Sequence, residues 1–285
     1  MQRVDDVAGL KAALGAIRTA RVALVPTMGN LHAGHLALVN RARREAERVV
    51  VSIFVNPLQF GPHEDLASYP RSLEQDLAKL HEAGADVVFV PAVDAIYPHG
   101  YPPATRVRVT GTVAETLEGA LRPGHFDGVA TVVSILFNLV RPNVAVFGEK
   151  DWQQLQVVQR MVADLGSGVR VVGEPVVRAA DGLALSSRNS YLSAAERRRA
   201  PRLHAALQAV ASELRAGRRD FPAVCARQRD ALIAEGFAPD YLEVRRPDLE
   251  LPVGADRRFR ILAAARLGRA RLIDNVGIAI GAARG

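Results

Sequence analysis

Five β-branched runs recur through the first two-thirds of the chain: RVALVP, RVVVSIFVN, DVVFVP, NVAVFG and VRVVGEP. Their apolar residues are too continuous for strands wetted on one face, which points to strands buried on both faces of a parallel sheet. Between them lie stretches with helical character: HLALVNRARREAE, SLEQDLAKLHEAG, the region through VVSILFNLV, and WQQLQVVQRMVADLG. In the last, Leu155, Val158, Val162 and Leu165 fall on one face at helical spacing. Ser72 with Gln75 has the spacing of a capping box opening the second helix. This alternation predicts an α/β fold, a Rossmann-like doubly wound parallel sheet.

After about Glu174 the pattern changes. DGLALSSRNSYLS reads as a loop, and Ser193 with Glu196 supplies a capping box for a helix through AAERRRAPRLHAALQAVASELRAG. Asp220 with Pro222 marks another helix start. YLEVRR, RFRILAAARLG and ARLIDNVGIAI read as strands joined by turns. The expected organisation is a Rossmann-like domain over residues 1–175 and a smaller α+β domain over 176–285, with the SSRN loop at the hinge.

A net charge of +7 and a pI of about 10.1 suit either nucleic acid or an anionic small substrate. The arginines are mixed with glutamates in RARREAER and AAERRRAPR, the pattern of a solvated helix face. Aromatics make up only 5% of the chain, without the stacking signatures of RNA readers. Lysine occurs only at Lys11, Lys79 and Lys150, which makes each one conspicuous. No apolar run approaches the length of a membrane span. The start, MQRVDDVAGLKAAL, lacks a signal-peptide core. The single Cys225 excludes an internal disulfide, fits a reducing compartment and reads as a small helix residue. A cytoplasmic location is expected.

PTMGNLHAGH follows RVALV directly, at a strand's carboxyl end, where doubly wound sheets bind ligands. It admits three readings. One is a plain strand-to-helix loop with incidental histidines. Another is a zinc site through His32 and His35, which lacks nearby cysteines and an obvious third ligand. The third is a phosphate site, in which Gly29 and Gly34 admit backbone to an anion and the imidazoles add donors to the helix N-terminus. GEKDW, Gly148 to Trp152, also ends a strand and opens a helix. There Lys150 suits phosphate as a point charge and Asp151 a metal or nucleotide, unless the two form an ordinary surface ion pair. LSSRN, Leu185 to Asn189, offers two hydroxyls and a guanidinium, either to close over phosphate or as a turn into the capped helix.

Taken together, PTMGNLHAGH, FVNPLQFGP, the YPR segment, LEGALRPGHFDGVATVV, VFGEKDWQQL and DGLALSSRNSYLS resemble, in order, the pantoate–β-alanine ligase (pantothenate synthetase) family of the HxGH nucleotidyltransferase superfamily. The resemblance runs over essentially the whole chain. HxGH alone indicates only the superfamily, whereas FVNPLQF and GHFDGVATVV with GEKD are more specific. It implies ATP-dependent condensation of (R)-pantoate with β-alanine through pantoyl adenylate, giving pantothenate, AMP and pyrophosphate. The first domain would bind ATP and pantoate and the second would act as a lid.

By that resemblance, His35, His32 and Lys150 are catalytic, with His35 the family's usual proton donor. Met28, Gly29, Asn30, Leu31, His32, Ala33, Gly34 and His35 line the ATP site. Gly148, Glu149, Lys150, Asp151, Val177, Leu185, Ser186, Ser187 and Arg188 complete it. Gln59 and Gln154 would bond pantoate, with Asn56 nearby, and Gly128 would be a flexible point over the pantoate pocket. ATP as substrate implies magnesium, with Asp76 and Asp151 as candidate ligands and water supplying much of the shell. A homodimer is expected on the same ground, without nucleic-acid or membrane partners. The departures are small: Leu185 stands where methionine is common, and Val176 where threonine is. Two other readings share some of these features: an adenylyltransferase acting on a phosphorylated acceptor, and a basic nucleic-acid-binding protein. A class I tRNA synthetase would share HxGH, but the chain is short for an added tRNA-binding domain.

Overall fold

The computed structural model describes residues 1–17, 19–62 and 64–281. The chain divides into two compact units, Met1–Glu149 with Gln153–Pro175, and Lys150–Trp152 with Val176–Gly285. In the first unit, β1 (Gln2–Val4), β2 (Val22–Thr27), β3 (Arg48–Ile53), β4 (Val87–Phe89), β5 (Val144–Gly148) and β6 (Arg170–Glu174) form one parallel sheet. Its order is β1-β4-β3-β2-β5-β6. All five predicted strands are present. The edge strand β1 is additional, since three residues of which only Val4 is buried carry no detectable period.

Ala23, Leu24 and Val25 on β2 and Val50 and Val51 on β3 are wholly buried, which is why these runs show no polar alternation. From β2 the chain winds outward to β3 and β4, then crosses to β5 and β6 on the other side. Neighbouring β2 and β5 are therefore where the winding reverses, the position beyond whose carboxyl ends sheets of this kind bind ligands.

The helices depart from the sequence reading in detail. Helix Trp152–Leu165 buries Gln153, Leu155, Val157, Val158 and Met161, whereas Leu165 is 59% exposed. The buried stripe is rotated from the expected one because polar Gln153 finds partners inside. Ser72 precedes helix Leu73–Glu82 without capping it; its hydroxyl donates to Asp76 Oδ1 at 3.2 Å, so there is no capping box.

In the second unit, β7 (Ala238–Arg245), β8 (Arg258–Leu267) and β9 (Ala270–Ala279) form an antiparallel sheet with β8 in the centre. Helices Arg202–Arg215 and Phe221–Ala234 share its core through Leu207, Leu214, Val224 and Leu232. The long helix expected from Ser193 is two. Ala194–Arg199 opens with the Ser193–Glu196 capping box, and Pro201, which has no N–H to give, separates it from Arg202–Arg215. Asp220 caps the following helix as read from sequence, accepting from Ala223 N at 3.1 Å. Among the described residues no helix is long and apolar enough to cross a membrane.

Candidate active site

β2 ends at Thr27, and the next residues turn into helix Ala33–Glu45. The turn uses two consecutive left-handed residues, Gly29 at φ +82° and Asn30 at φ +50°, for which glycine and asparagine are suited. A buried carboxylate holds it. Asp76, 1% exposed, accepts from Asn30 N and Leu31 N at 2.8 Å each. Lys79 Nζ donates to Leu31 O at 2.7 Å, so one of the three lysines serves this loop. The expectation that Asp76 ligates magnesium gives way here, because both its oxygens are committed to backbone amides. Asp151, whose side chain is 46% exposed, is the candidate with an accessible carboxylate. Among the described residues no cluster of three His, Cys, Asp or Glu side chains is placed to hold a metal ion.

His32 is the N-cap of helix Ala33–Glu45. Its Nδ1 accepts from Gly34 N at 3.1 Å, and His35 Nδ1 accepts from His32 N at 3.3 Å. The result is a capping box made of imidazoles, with ring centroids 4.1 Å apart. A nitrogen that accepts from an amide cannot hold the proton, so each neutral ring carries its hydrogen on Nε2. Both rings can therefore donate from Nε2 at a helix N-terminus that already favours anions.

Beyond β3, Asn56 is 1% exposed and opens the short turn Pro57–Gln59. Its Oδ1 accepts from Tyr97 Oη at 2.7 Å and Leu58 N at 3.2 Å. Its Nδ2 donates to Gln59 Oε1 and Gly128 O, both at 3.1 Å. That exhausts the amide. Asn56 therefore holds Gln59 in place. Gln59 Nε2 donates to the weak acceptor Met28 Sδ, at 3.1 Å, which a carboxylate or hydroxyl would outcompete.

His125 Nδ1 is 2.8 Å from Gln59 O and its Nε2 is 3.0 Å from Arg122 Nη1. Arg122 in turn makes a bidentate pair with Glu64, 2.6 Å at each nitrogen. Burial first, and then the Arg122 charge, lower the His125 pKa to about 4. Gly128 is not the flexible point expected. It lies inside helix His125–Val140, where a Cβ would come within 2.5 Å of Leu58 O and 2.6 Å of Gln59 N. The glycine permits a backbone-to-backbone approach.

Gly148 closes β5 against Glu174. In the turn Glu149–Asp151, Lys150 Nζ lies 3.6 Å from Asp151 Oδ1. Gln153 is fixed by accepting from Glu118 N at 3.0 Å and donating to Thr116 O at 2.8 Å, while Gln154 beside it is half-buried. The second unit brings together two positions that sequence named separately: Leu185 N donates to Val177 O at 2.9 Å. Ser186 Oγ accepts from Arg188 N at 3.3 Å, opening the turn Ser187–Tyr191. Asn189 Nδ2 ties that turn to Ala184 O at 3.0 Å.

Sequence reasoning missed Tyr97, His125 and the clamp role of Asp76. For Lys79 the scarcity of lysine was a usable signal; for Tyr97 there was none.

A family model described as pantoate-β-alanine ligase matches residues 2–277. The pantothenate synthetase of Thioalkalivibrio sulfidiphilus is 59% identical over 281 residues, covering 98% of each chain. A crystal structure of pantothenate synthetase from Thermus thermophilus matches with a TM-score of 0.91 at 53% identity, over 97% of this chain and 99% of that one. A crystal structure of pantoate-β-alanine ligase from Francisella tularensis, complexed with β-γ ATP and β-alanine, matches with a TM-score of 0.81 at 32% identity over 97% of each chain. A model match and a 59% identity that both run nearly end to end show that this chain belongs to the pantoate–β-alanine ligase family.

Proposed function

We propose that this chain condenses (R)-pantoate with β-alanine at the expense of ATP, through a pantoyl adenylate, yielding pantothenate, AMP and pyrophosphate. The observation that carries the reading is the imidazole-capped helix at the strand pair where the winding reverses, in a chain of this family. In the first step a pantoate carboxylate oxygen bonds to the α-phosphorus of ATP as the bond to the β-phosphate bridge breaks. Both reactants are anions, so the protein's task is to position them and neutralise charge. His32 and His35 donate from Nε2 to phosphate oxygens, and Lys150 supplies a full positive charge to the reacting group. Met28–His35, Gly148–Asp151, Val177 and Leu185–Arg188 bind the nucleotide.

Gln59 and Gln154 hold pantoate with neutral amides, which do not compete with the carboxylate's nucleophilicity. Asn56 acts through Gln59. In the second step the β-alanine amine bonds to the acyl carbon, the carbon–oxygen bond to AMP breaks, and the amine loses its proton. Magnesium bound with the triphosphate would moderate its charge. Asp151, whose side chain is 46% exposed, is the carboxylate that would reach it, with phosphate oxygens and water completing the shell. We propose further that the protein is a cytoplasmic homodimer.

The test is pantoate-dependent exchange between ATP and pyrophosphate, followed by product analysis after β-alanine is added. Exchange that needs pantoate, then AMP and pantothenate in equal amounts, supports the reading. A folded, ATP-binding sample without pantoate-dependent exchange would overturn it and favour a phosphorylated acceptor. His35→Ala and Lys150→Ala should each lower the exchange rate by roughly 10²–10³, the scale for removing a positioned transition-state donor. Full activity in either variant would remove that residue's role.

A further inference from the structure

Lys150, Asp151 and Trp152 are flanked in sequence by the first unit yet group with the second. The contacts that hold them there are specific. Asn275 on β9 is 2% exposed, and its Nδ2 donates to Lys150 O at 2.9 Å. Asn275 Oδ1 accepts from Arg260 Nη1, also at 2.9 Å. The Arg260 guanidinium carbon lies 3.3 Å from the centroid of the Trp152 ring, and the indole Nε1 donates to Pro247 O at 2.9 Å. Arg260 pairs across the sheet with Gly277, where a Cβ would stand 3.2 Å from the guanidinium carbon. A methyl at Gly277 would press on the guanidinium, which would have to give by a few tenths of an ångström. All of these contacts bear on the three-residue segment that carries Lys150.

We propose that Asn275, backed by Arg260 stacked on Trp152, is a positioning residue that sets where the Lys150 ammonium stands during adenylation. The proposal rests on the reading that Lys150 neutralises charge on the reacting phosphate. A lysine charge rides on a flexible four-carbon stem, so it is placed only as well as its own backbone is held. A carbonyl bonded to a buried amide, beside an indole pinned at its face and its N–H, is a rigid anchor. Displacements of about 1 Å at a reacting group cost on the order of 10² in rate. Loosening this anchor is therefore expected to slow the step that uses Lys150 and to spare the step that does not.

The test uses Asn275→Asp in the full-length protein. The substitution keeps shape and the acceptor for Arg260, but it replaces the donor to Lys150 O with an oxygen that repels it. Gly277→Ala, which disturbs Arg260 alone, is the second variant. Pantoate-dependent ATP–pyrophosphate exchange should fall roughly ten- to hundred-fold at saturating ATP in Asn275→Asp, and less in Gly277→Ala. Transfer from supplied pantoyl adenylate to β-alanine should stay within about two-fold of the parent. Unchanged exchange in both variants would overturn the proposal. So would an equal fall in both half-reactions alongside a lowered melting temperature, which is the mark of a merely structural residue. A parent protein lacking pantoate-dependent exchange would instead sink the functional reading on which the proposal depends.

Discussion

The buried His125 ring, held to a pKa of about 4 against its ordinary 6.5, makes stability depend on pH in a definite direction. Between those values the unfolded chain takes up a proton that the folded chain refuses. The stabilisation is complete above pH 6.5 and is lost as pH falls toward 4, on the order of 3 kcal/mol in all. Urea unfolding at pH 7.5 and at about pH 4.5 should show that loss in the parent and little of it in His125→Gln. An equal pH slope in the two proteins would contradict the assignment. The ring also bonds the carbonyl of Gln59, so acid should loosen the proposed pantoate side before the rest of the molecule. The pattern GHFD gives no hint of this, because a histidine on a helix reads alike whether it meets water or a buried carbonyl.

At the scale of elements, the contact between helix His125–Val140 and the turn Pro57–Gln59 is made possible by Gly128. On an exposed helix, glycine to alanine would stabilise by about 1 kcal/mol. Here the added methyl would meet backbone atoms at 2.5 and 2.6 Å, neither of which can swing away. Gly128→Ala is therefore expected to destabilise by about 1–3 kcal/mol, as overpacking does, and to weaken pantoate binding by shifting Gln59. Thermal denaturation and a pantoate titration check both effects. A variant more stable than the parent would mean that the turn yields easily and the contact is not a constraint. Helix His125–Val140 was itself legible from its apolar run, but its partner lies far earlier in the chain, at a separation of 72 for the Asn56–Gly128 bond.

At the scale of the whole molecule, a net charge of +7 accompanies many ion pairs. Arginines pair with carboxylates in both units, among them Arg41 with Glu45, Arg122 with Glu64, Arg197 with Asp181 and Arg271 with Asp240. An exposed pair such as Arg197 with Asp181 contributes little to stability, roughly 0–1 kcal/mol. The homodimer proposed above predicts a sedimenting species of twice the 30.7 kDa chain mass. A species of single-chain mass at micromolar concentration would remove that proposal and leave the ligase reading intact.

The alternation of buried strands and amphipathic helices determined the fold class from sequence, because burial on both faces of a parallel sheet leaves a continuous apolar run. The same logic placed PTMGNLHAGH and GEKD at strand carboxyl ends, where the structure puts them beside β2 and β5. What the sequence could not decide is which polar side chains serve a ligand and which serve the protein. Asn56 is used up on Gln59, Gly128, Leu58 and Tyr97, and Asp76 on two amides of the histidine loop. Neighbouring Gln153 and Gln154 differ only in what lies opposite them. Asn275 reaches Lys150 across 125 positions. A hydrogen-bonding group has the same covalent structure whether it is satisfied or available, and only the folded backbone brings its partner within about 3 Å.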